Sequence, residues 1–127
     1  MPRPRRILIV DDSFVSRAEL EEAFRERGYE VDTAADGAEG LARVEQGLPD
    51  IVMIDAVMPN IDGWELCRRL RSRASSDQLS IIAMSSKDAS TTSLQASEAG
   101  ADEFFQKPMD VDELFESVDR LLAARGL

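Results

Sequence analysis

The chain has 127 residues, which suits one domain that buries its own core without covalent staples. A single cysteine, Cys67, and no histidine exclude an internal disulfide, thiolate or imidazole metal centres and Ser-His-Asp catalysis, so any metal must be a hard cation held by oxygen. The formal charge of −10 argues against direct nucleic-acid binding and against adherence to an anionic membrane surface.

Behind the basic opening Met1-Pro2-Arg3-Pro4-Arg5-Arg6, the apolar run Ile7 to Val10 is too short for a signal peptide or a membrane span, so the cytoplasm is the expected compartment. Ile7-Leu8-Ile9-Val10 reads as a buried strand that stops at Asp11-Asp12-Ser13. Asp12 or Ser13 can equally serve as the N-cap of a first helix. Residues 14 to 27 have helical periodicity, with Leu20, Ala23 and Phe24 on one stripe and Gly28 as the stop. Phe14, Val15, Ala18 and Glu22 fall on a second face beside the double acid. If exposed, they form a docking surface; the alternative is that Phe14 folds inward.

Tyr29 to Ala34 alternates as a half-buried strand, and Asp36-Gly37-Ala38-Glu39 has capping-box spacing, opening a helix that ends at Gln46-Gly47. Asp50 then leads Ile51-Val52-Met53-Ile54 straight into Asp55, the pattern of a strand buried on both faces, with Pro59 and Gly63 turning the chain behind it. Asp55 reads either as the start of that turn or as a functional acid at a strand's carboxyl end. Asp62-x-x-Glu65 opens a third helix with Leu66, Cys67 and Leu70 inside, Trp64 at the rim, and Arg68, Arg69, Arg71 and Arg73 as a solvated face.

After a polar loop from Ser72 to Ser80, Ile81-Ile82-Ala83-Met84 is a fourth apolar strand, ending in Ser85-Ser86-Lys87-Asp88. Residues 90 to 99 form a helix of weak propensity, crowded with Ser90, Thr91, Thr92, Ser93 and Ser97, and are expected to be the least stable element. Glu103-Phe104-Phe105-Gln106 is a fifth strand with Lys107-Pro108 behind it. Asp110-x-x-Glu113 opens a last amphipathic helix carrying Val111, Leu114, Phe115, Val118, Leu121 and Leu122.

Strand-then-helix units in this order imply an α/β protein with a parallel sheet, right-handed crossovers and helices on both faces. The carboxyl ends of the strands then share one edge, which collects Asp11, Asp12, Asp55, Ser85 and Lys107. Three crowded carboxylates repel one another unless a cation sits among them, and Mg²⁺ is the ion expected. A phosphoryl group arriving at Asp55 would be met by that ion, the Lys107 ammonium and the Ser85 hydroxyl, and a carboxylate can itself be the nucleophile. No Gly-rich phosphate loop of the P-loop kind is present, so the donor is not expected to be a nucleotide held here.

Together these motifs resemble the receiver domain of bacterial two-component response regulators: Asp11-Asp12, Asp55 with Pro59 and Gly63, Ser85, and Lys107-Pro108, across essentially the whole chain. The resemblance implies one chemotaxis-regulator-like receiver over residues 1–127, with 1–6 as a basic extension. It also implies a doubly wound, flavodoxin-like, five-stranded parallel sheet in the order 2-1-3-4-5. By the same resemblance Asp12 and Asp55 hold Mg²⁺, or Mn²⁺, with the backbone carbonyl of Val57, while Asp11 assists through water. Asp55 then takes a phosphoryl group from a histidine kinase or histidine phosphotransfer protein. Ser85, Lys107 and Phe104 form the phosphoryl-binding and switch set, and the Lys107-Pro108 peptide is cis. Readout falls to the fourth helix, fifth strand and fifth helix, acting on a protein target or a covalently linked output domain, with a phosphorylation-dependent homodimer among the outcomes. Such a domain is no enzyme beyond its own phosphorylation and slow dephosphorylation, and it contacts neither nucleic acid nor membrane.

Departures from the pattern are Phe104 where Tyr is frequent, Ser86 where Ala is common, and Met109 where Phe is common. The two positions expected to tune hydrolysis, Val57 and Lys87, cannot orient an attacking water, which predicts a long-lived phospho-form. Two rivals remain: a Mg²⁺-dependent aspartyl phosphatase, which would want an acid where Val57 stands, and a non-phosphorylated pseudo-receiver used for docking, against which the complete acid set speaks.

Overall fold

The computed structural model describes residues 3–58, 61–86 and 93–127. In chain order these form β1 (Arg6–Val10), α1 (Phe14–Glu26), β2 (Glu30–Ala34), α2 (Gly37–Gln46), β3 (Ile51–Asp55), α3 (Gly63–Arg73), β4 (Ser80–Ser86), α4 (Ser93–Ala99), β5 (Glu103–Lys107) and α5 (Val111–Ala124). All pairings are parallel and the order is β2-β1-β3-β4-β5, as the sequence pattern and the resemblance imply.

Side chains alternate across the pleat, so each apolar run supplies both faces of the sheet. Ile7, Ile9, Ile51, Met53, Ile82 and Met84 pack against Leu20 and Phe24 of α1 and against Leu114, Phe115, Val118 and Leu122 of α5. On the other face Leu8, Val10, Val52, Ile54 and Ile81 meet Val44 of α2, Leu66, Cys67 and Leu70 of α3, and Ala99 of α4. Helices on two faces force the chain to cross the sheet, and the strand order reverses direction beside β1 and β3.

The helix starts are set by their caps. Asp36, Asp62 and Asp110 each accept a hydrogen bond from the backbone N–H three residues on. The reciprocal half of the capping box is weaker than its spacing suggests. Glu39 turns back to the Ala35 N–H, while Glu65 turns outward to Arg68 and Arg69. On α4 only Ala96 and Ala99 are buried, a thin core face for so polar a helix. Its expected first residues, Ser90, Thr91 and Thr92, lie outside the described residues.

One expectation about the surface is corrected. Arg71 does not share the solvated face of its neighbours: it donates to the carbonyls of Gly100, Ala74 and Leu79 and to the Asp102 carboxylate, all within 3.2 Å. The carbonyls that end α3 and precede β4 need donors, and an arginine fork can reach several at once. Arg125 does the same at the opposite edge from the acids, donating to the carbonyls of Asp50, Asp77 and Gln78. Arg3 of the basic opening pairs there with the buried Asp50 at 2.8 Å. Among the described residues, no helix is long and apolar enough to cross a membrane.

Candidate functional site

Strand register brings the predicted residues to one edge. Val10 pairs with Ile54, so Asp11 and Asp55 stand level just beyond that pair. Ser86 pairs with Lys107 on the neighbouring strands, with Ser85 one step before it. Carboxylate oxygens of Asp11, Asp12 and Asp55 all lie within 4.8 Å of one another.

Each acid is held differently. Asp11 is fully buried; one carboxylate oxygen accepts from the Ser13 N–H at 2.9 Å and the other from Lys107 Nζ at 2.7 Å. Burial works against its charge, but Lys107, Ser16 and the Ser13 N–H outweigh it and its pKa falls below the ordinary range. Asp55 ends β3 and is only 7% exposed. The Val57 N–H donates to it at 3.0 Å and Lys107 stands 3.4 Å away. Burial is the larger influence, reinforced by the Asp11 charge, and pushes the Asp55 pKa up to about 6. Asp12 is exposed. The cap of α1 is Ser13, whose hydroxyl accepts from the Ser16 N–H, so Asp12 is left free of capping.

Three carboxylates facing one ammonium form an electrostatically unbalanced cluster of hard oxygen donors, and that donor set fits a divalent cation such as Mg²⁺. The ammonium and the Val57 N–H are already aimed at the Asp55 carboxylate.

Ser85 is fully buried at the end of β4, its hydroxyl 3.4 Å from the Ser86 carbonyl. Phe104 is half-buried on β5 opposite Ala83. Val57 is 56% exposed beside Asp55. Lys87 and Pro59 lie outside the described residues. The Lys107-Pro108 peptide is cis. Phe14 and Val15 are 73% and 63% exposed, so Phe14 does not fold inward. Of the other two residues on that face, Ala18 is exposed and Glu22 is exposed with it.

One residue of the site, Arg17, escaped the sequence reading, and the packing role of another, Gly63, was not legible in it. Arg17 donates to the Asp11 carbonyl at 2.7 Å, a contact that helical periodicity does not signal. Gly63, one of the motif residues that carry the resemblance and otherwise read as a turn residue, lies against the backbone of Asp55 and Ala56, and its N–H donates to the Ala56 carbonyl at 3.1 Å. The acid-to-glycine spacing of eight residues, spanning a strand end and a helix start, is the trace of that contact in the sequence.

A family model described as the response regulator receiver domain matches residues 7–119. The chain belongs to that family. Response regulator MprA of Mycobacterium sp. (strain KMS) is 38% identical to this receiver over 119 residues, 94% of this chain and 51% of that protein. This receiver thus spans about half the length of the curated relatives it matches. A solved two-component system response regulator/GGDEF domain protein superposes with a TM-score of 0.90 at 35% identity, covering 97% of this chain and 51% of that one. A CheY-like response regulator receiver domain protein from Methanospirillum hungatei JF-1 gives 0.89 at 27% identity, covering 98% of each chain.

Proposed function

We propose that this chain is one receiver domain that accepts a phosphoryl group on Asp55 from the phosphohistidine of a histidine kinase or phosphotransfer protein. The observation that carries the reading is the meeting of Asp11, Asp12 and Asp55 with Lys107 at one sheet edge. A carboxylate oxygen of Asp55 attacks phosphorus; the P–N bond breaks, and its electron pair returns to the imidazole, which takes up a proton. Lys107 offers a compact positive charge to the transferring oxygens, and the buried Ser85 hydroxyl is available once the group is in place. Asp11, Asp12, Asp55 and the Val57 carbonyl would hold Mg²⁺, which supplies charge neutralisation during transfer.

Phosphorylation then biases a two-state equilibrium, because new contacts to Ser85 and Lys107 exist in only one state. Phe104 is the expected second element of that switch, and α4, β5 and α5 its readout. For the kinase-side partner, Phe14, Val15, Ala18 and Glu22 offer an exposed, partly apolar face. It continues into a groove of about 510 Å³ whose lining includes Val15, Ala23, Pro108, Met109 and Lys107. The net charge of −10 disfavours nucleic acid on this domain's own surface alone, and the longer relatives carry a further half beyond the matched region. The phosphatase alternative gains no support at Val57, which offers no acid beside Asp55.

The test is phosphate incorporation from labelled acetyl phosphate with Mg²⁺. Wild type should label with acyl-phosphate stability, and Asp55→Asn should not. A labelled Asp55→Asn protein, or a wild type that never labels, sinks the proposal.

A further inference from the structure

Arg17 stands on α1 above the acid pair, and its guanidinium has two neighbours. Nη1 donates to the Asp11 carbonyl oxygen at 2.7 Å, and the guanidinium carbon lies 5.7 Å from the centre of the Phe14 ring, within cation–π range. The carbonyl contact matters because that oxygen lies in the rigid peptide plane joining Asp11 to Asp12. Holding the oxygen orients the plane, and with it the direction in which Asp12 leaves the strand end.

The bond from the Ser13 N–H to the Asp11 carboxylate already spans the Asp12 backbone, so what lacks further restraint is the Asp12 side chain. Asp11 is fixed at both carboxylate oxygens by Ser13 and Lys107. The Asp12 carboxylate is exposed, has no hydrogen-bond partner among the described residues, and is not used as the α1 cap.

We infer that Arg17 is a positioning residue for the cation: through the Asp11 carbonyl it presents Asp12 preorganised beside Asp11 and Asp55. This rests on the reading of the acid cluster as a metal site. A competing effect has the opposite sign, since a guanidinium near the cluster repels an incoming cation. That repulsion is screened by water and salt, whereas the short charge-assisted hydrogen bond is directional. Positioning therefore dominates. Lysine keeps the charge but not the planar fork, so it should restore only part of the effect.

Mg²⁺ titration by isothermal calorimetry of the whole chain, at neutral pH and fixed salt, separates the two effects. Thermal melts in EDTA serve as the control for folding. Arg17→Ala should bind Mg²⁺ about tenfold more weakly than wild type, as loss of an outer-shell support does. Arg17→Lys should fall between, and both variants should melt in EDTA within a few degrees of wild type. Equal or tighter binding by Arg17→Ala overturns the inference. If that variant does not fold, Arg17→Lys decides: weaker binding supports the role and unchanged binding removes it. A wild type that does not bind Mg²⁺ at all refutes the metal site itself, an outcome distinct from either.

Discussion

Lys107 Nζ lies 2.7 Å from an Asp11 carboxylate oxygen and 3.4 Å from one of Asp55, so the ammonium belongs first to Asp11. Burial disfavours the Lys107 charge, but Asp11 and then Asp55 outweigh it and raise its pKa. With Asp11 fully buried, removing the cation strands a charge in the interior. Lys107→Met should lower unfolding free energy by about 3 kcal/mol, read by urea titration in EDTA. Asp11, whose folded pKa is lowered, contributes stability that is lost as pH falls through that value. Lys107, whose folded pKa is raised, contributes stability that is lost as pH rises through its own. The deficit of the variant should therefore grow as pH rises through about 6, where Asp55 ionises beside the missing cation, and shrink at the acid and alkaline extremes.

Asp55 has the opposite sign to Asp11. Its folded pKa is pushed up to about 6, with burial as the main cause, so its contribution is fully present below the ordinary carboxylate pKa and is lost as pH rises through about 6. At mildly alkaline pH the ionised group costs stability. Metal-free Asp55→Asn should then be more stable than wild type by on the order of 2 kcal/mol, and nearly equal to it in acid. Mg²⁺ should close the gap by stabilising wild type alone. Melting curves in EDTA and in Mg²⁺ at both pH values measure this, and an Asn variant no more stable than wild type in alkaline EDTA would contradict it.

Arg71 ties the end of α3 to the start of β4 and to the turn before β5. Asp102, its partner at 2.9 Å, also accepts from the Ile81 N–H and the Ser76 hydroxyl. Arg71→Met should cost roughly 2–4 kcal/mol, because it leaves several half-buried acceptors without their donor. Arg68→Met, which loses only an exposed pair with Glu65, should change stability by less than about 0.5 kcal/mol. Equal effects of the two substitutions would show that Arg71 is as superficial as its neighbours.

These arginines mark where the sequence stops being legible. The strands were readable because each apolar run is bounded by acids or turn residues, and the edge was readable because strand ends determine it. Asp11, Asp12, Asp55 and Lys107 came together for that reason. Which residue capped α1 was not readable, since Asp12 and Ser13 offer similar acceptors one position apart; the Asp11 carboxylate taking the Ser13 N–H favours the arrangement found. Nor was the fate of Arg17, Arg71 or Arg125, because a long flexible side chain chooses its carbonyls by three-dimensional proximity, which periodicity does not encode.

Val57 should set the lifetime of the phospho-form. It is two residues past Asp55 and 56% exposed, so its side chain borders the approach to the acceptor but cannot hold a water in line with the acyl phosphate. Val57→Asn should shorten the lifetime severalfold, and Val57→Ala should leave it unchanged. Decay of labelled protein in Mg²⁺ after removal of the donor is the measurement. Shortening by Ala, or no change with Asn, would count against the role.

Gly63 should prove as demanding as the acids. It opens α3 with no special backbone angle, so the requirement is purely steric: a β-carbon there would overlap the Asp55 carbonyl oxygen and stand 2.5 Å from the Ala56 α-carbon. Both neighbours are backbone atoms at the end of a buried strand, which cannot swing aside as a side chain could. Gly63→Ala must therefore push α3 away or displace Asp55, at a cost of roughly 3 kcal/mol or more. Any folded fraction should label more slowly from acetyl phosphate than its stability alone explains. Gly28→Ala is the control: Gly28 has φ +86° with nothing within 4 Å of the added carbon. That substitution should cost only about 1–2 kcal/mol of backbone strain and leave labelling of the folded protein unchanged. If Gly63→Ala is no worse than Gly28→Ala in both stability and labelling, the close packing of α3 on the Asp55 backbone does not position the acceptor.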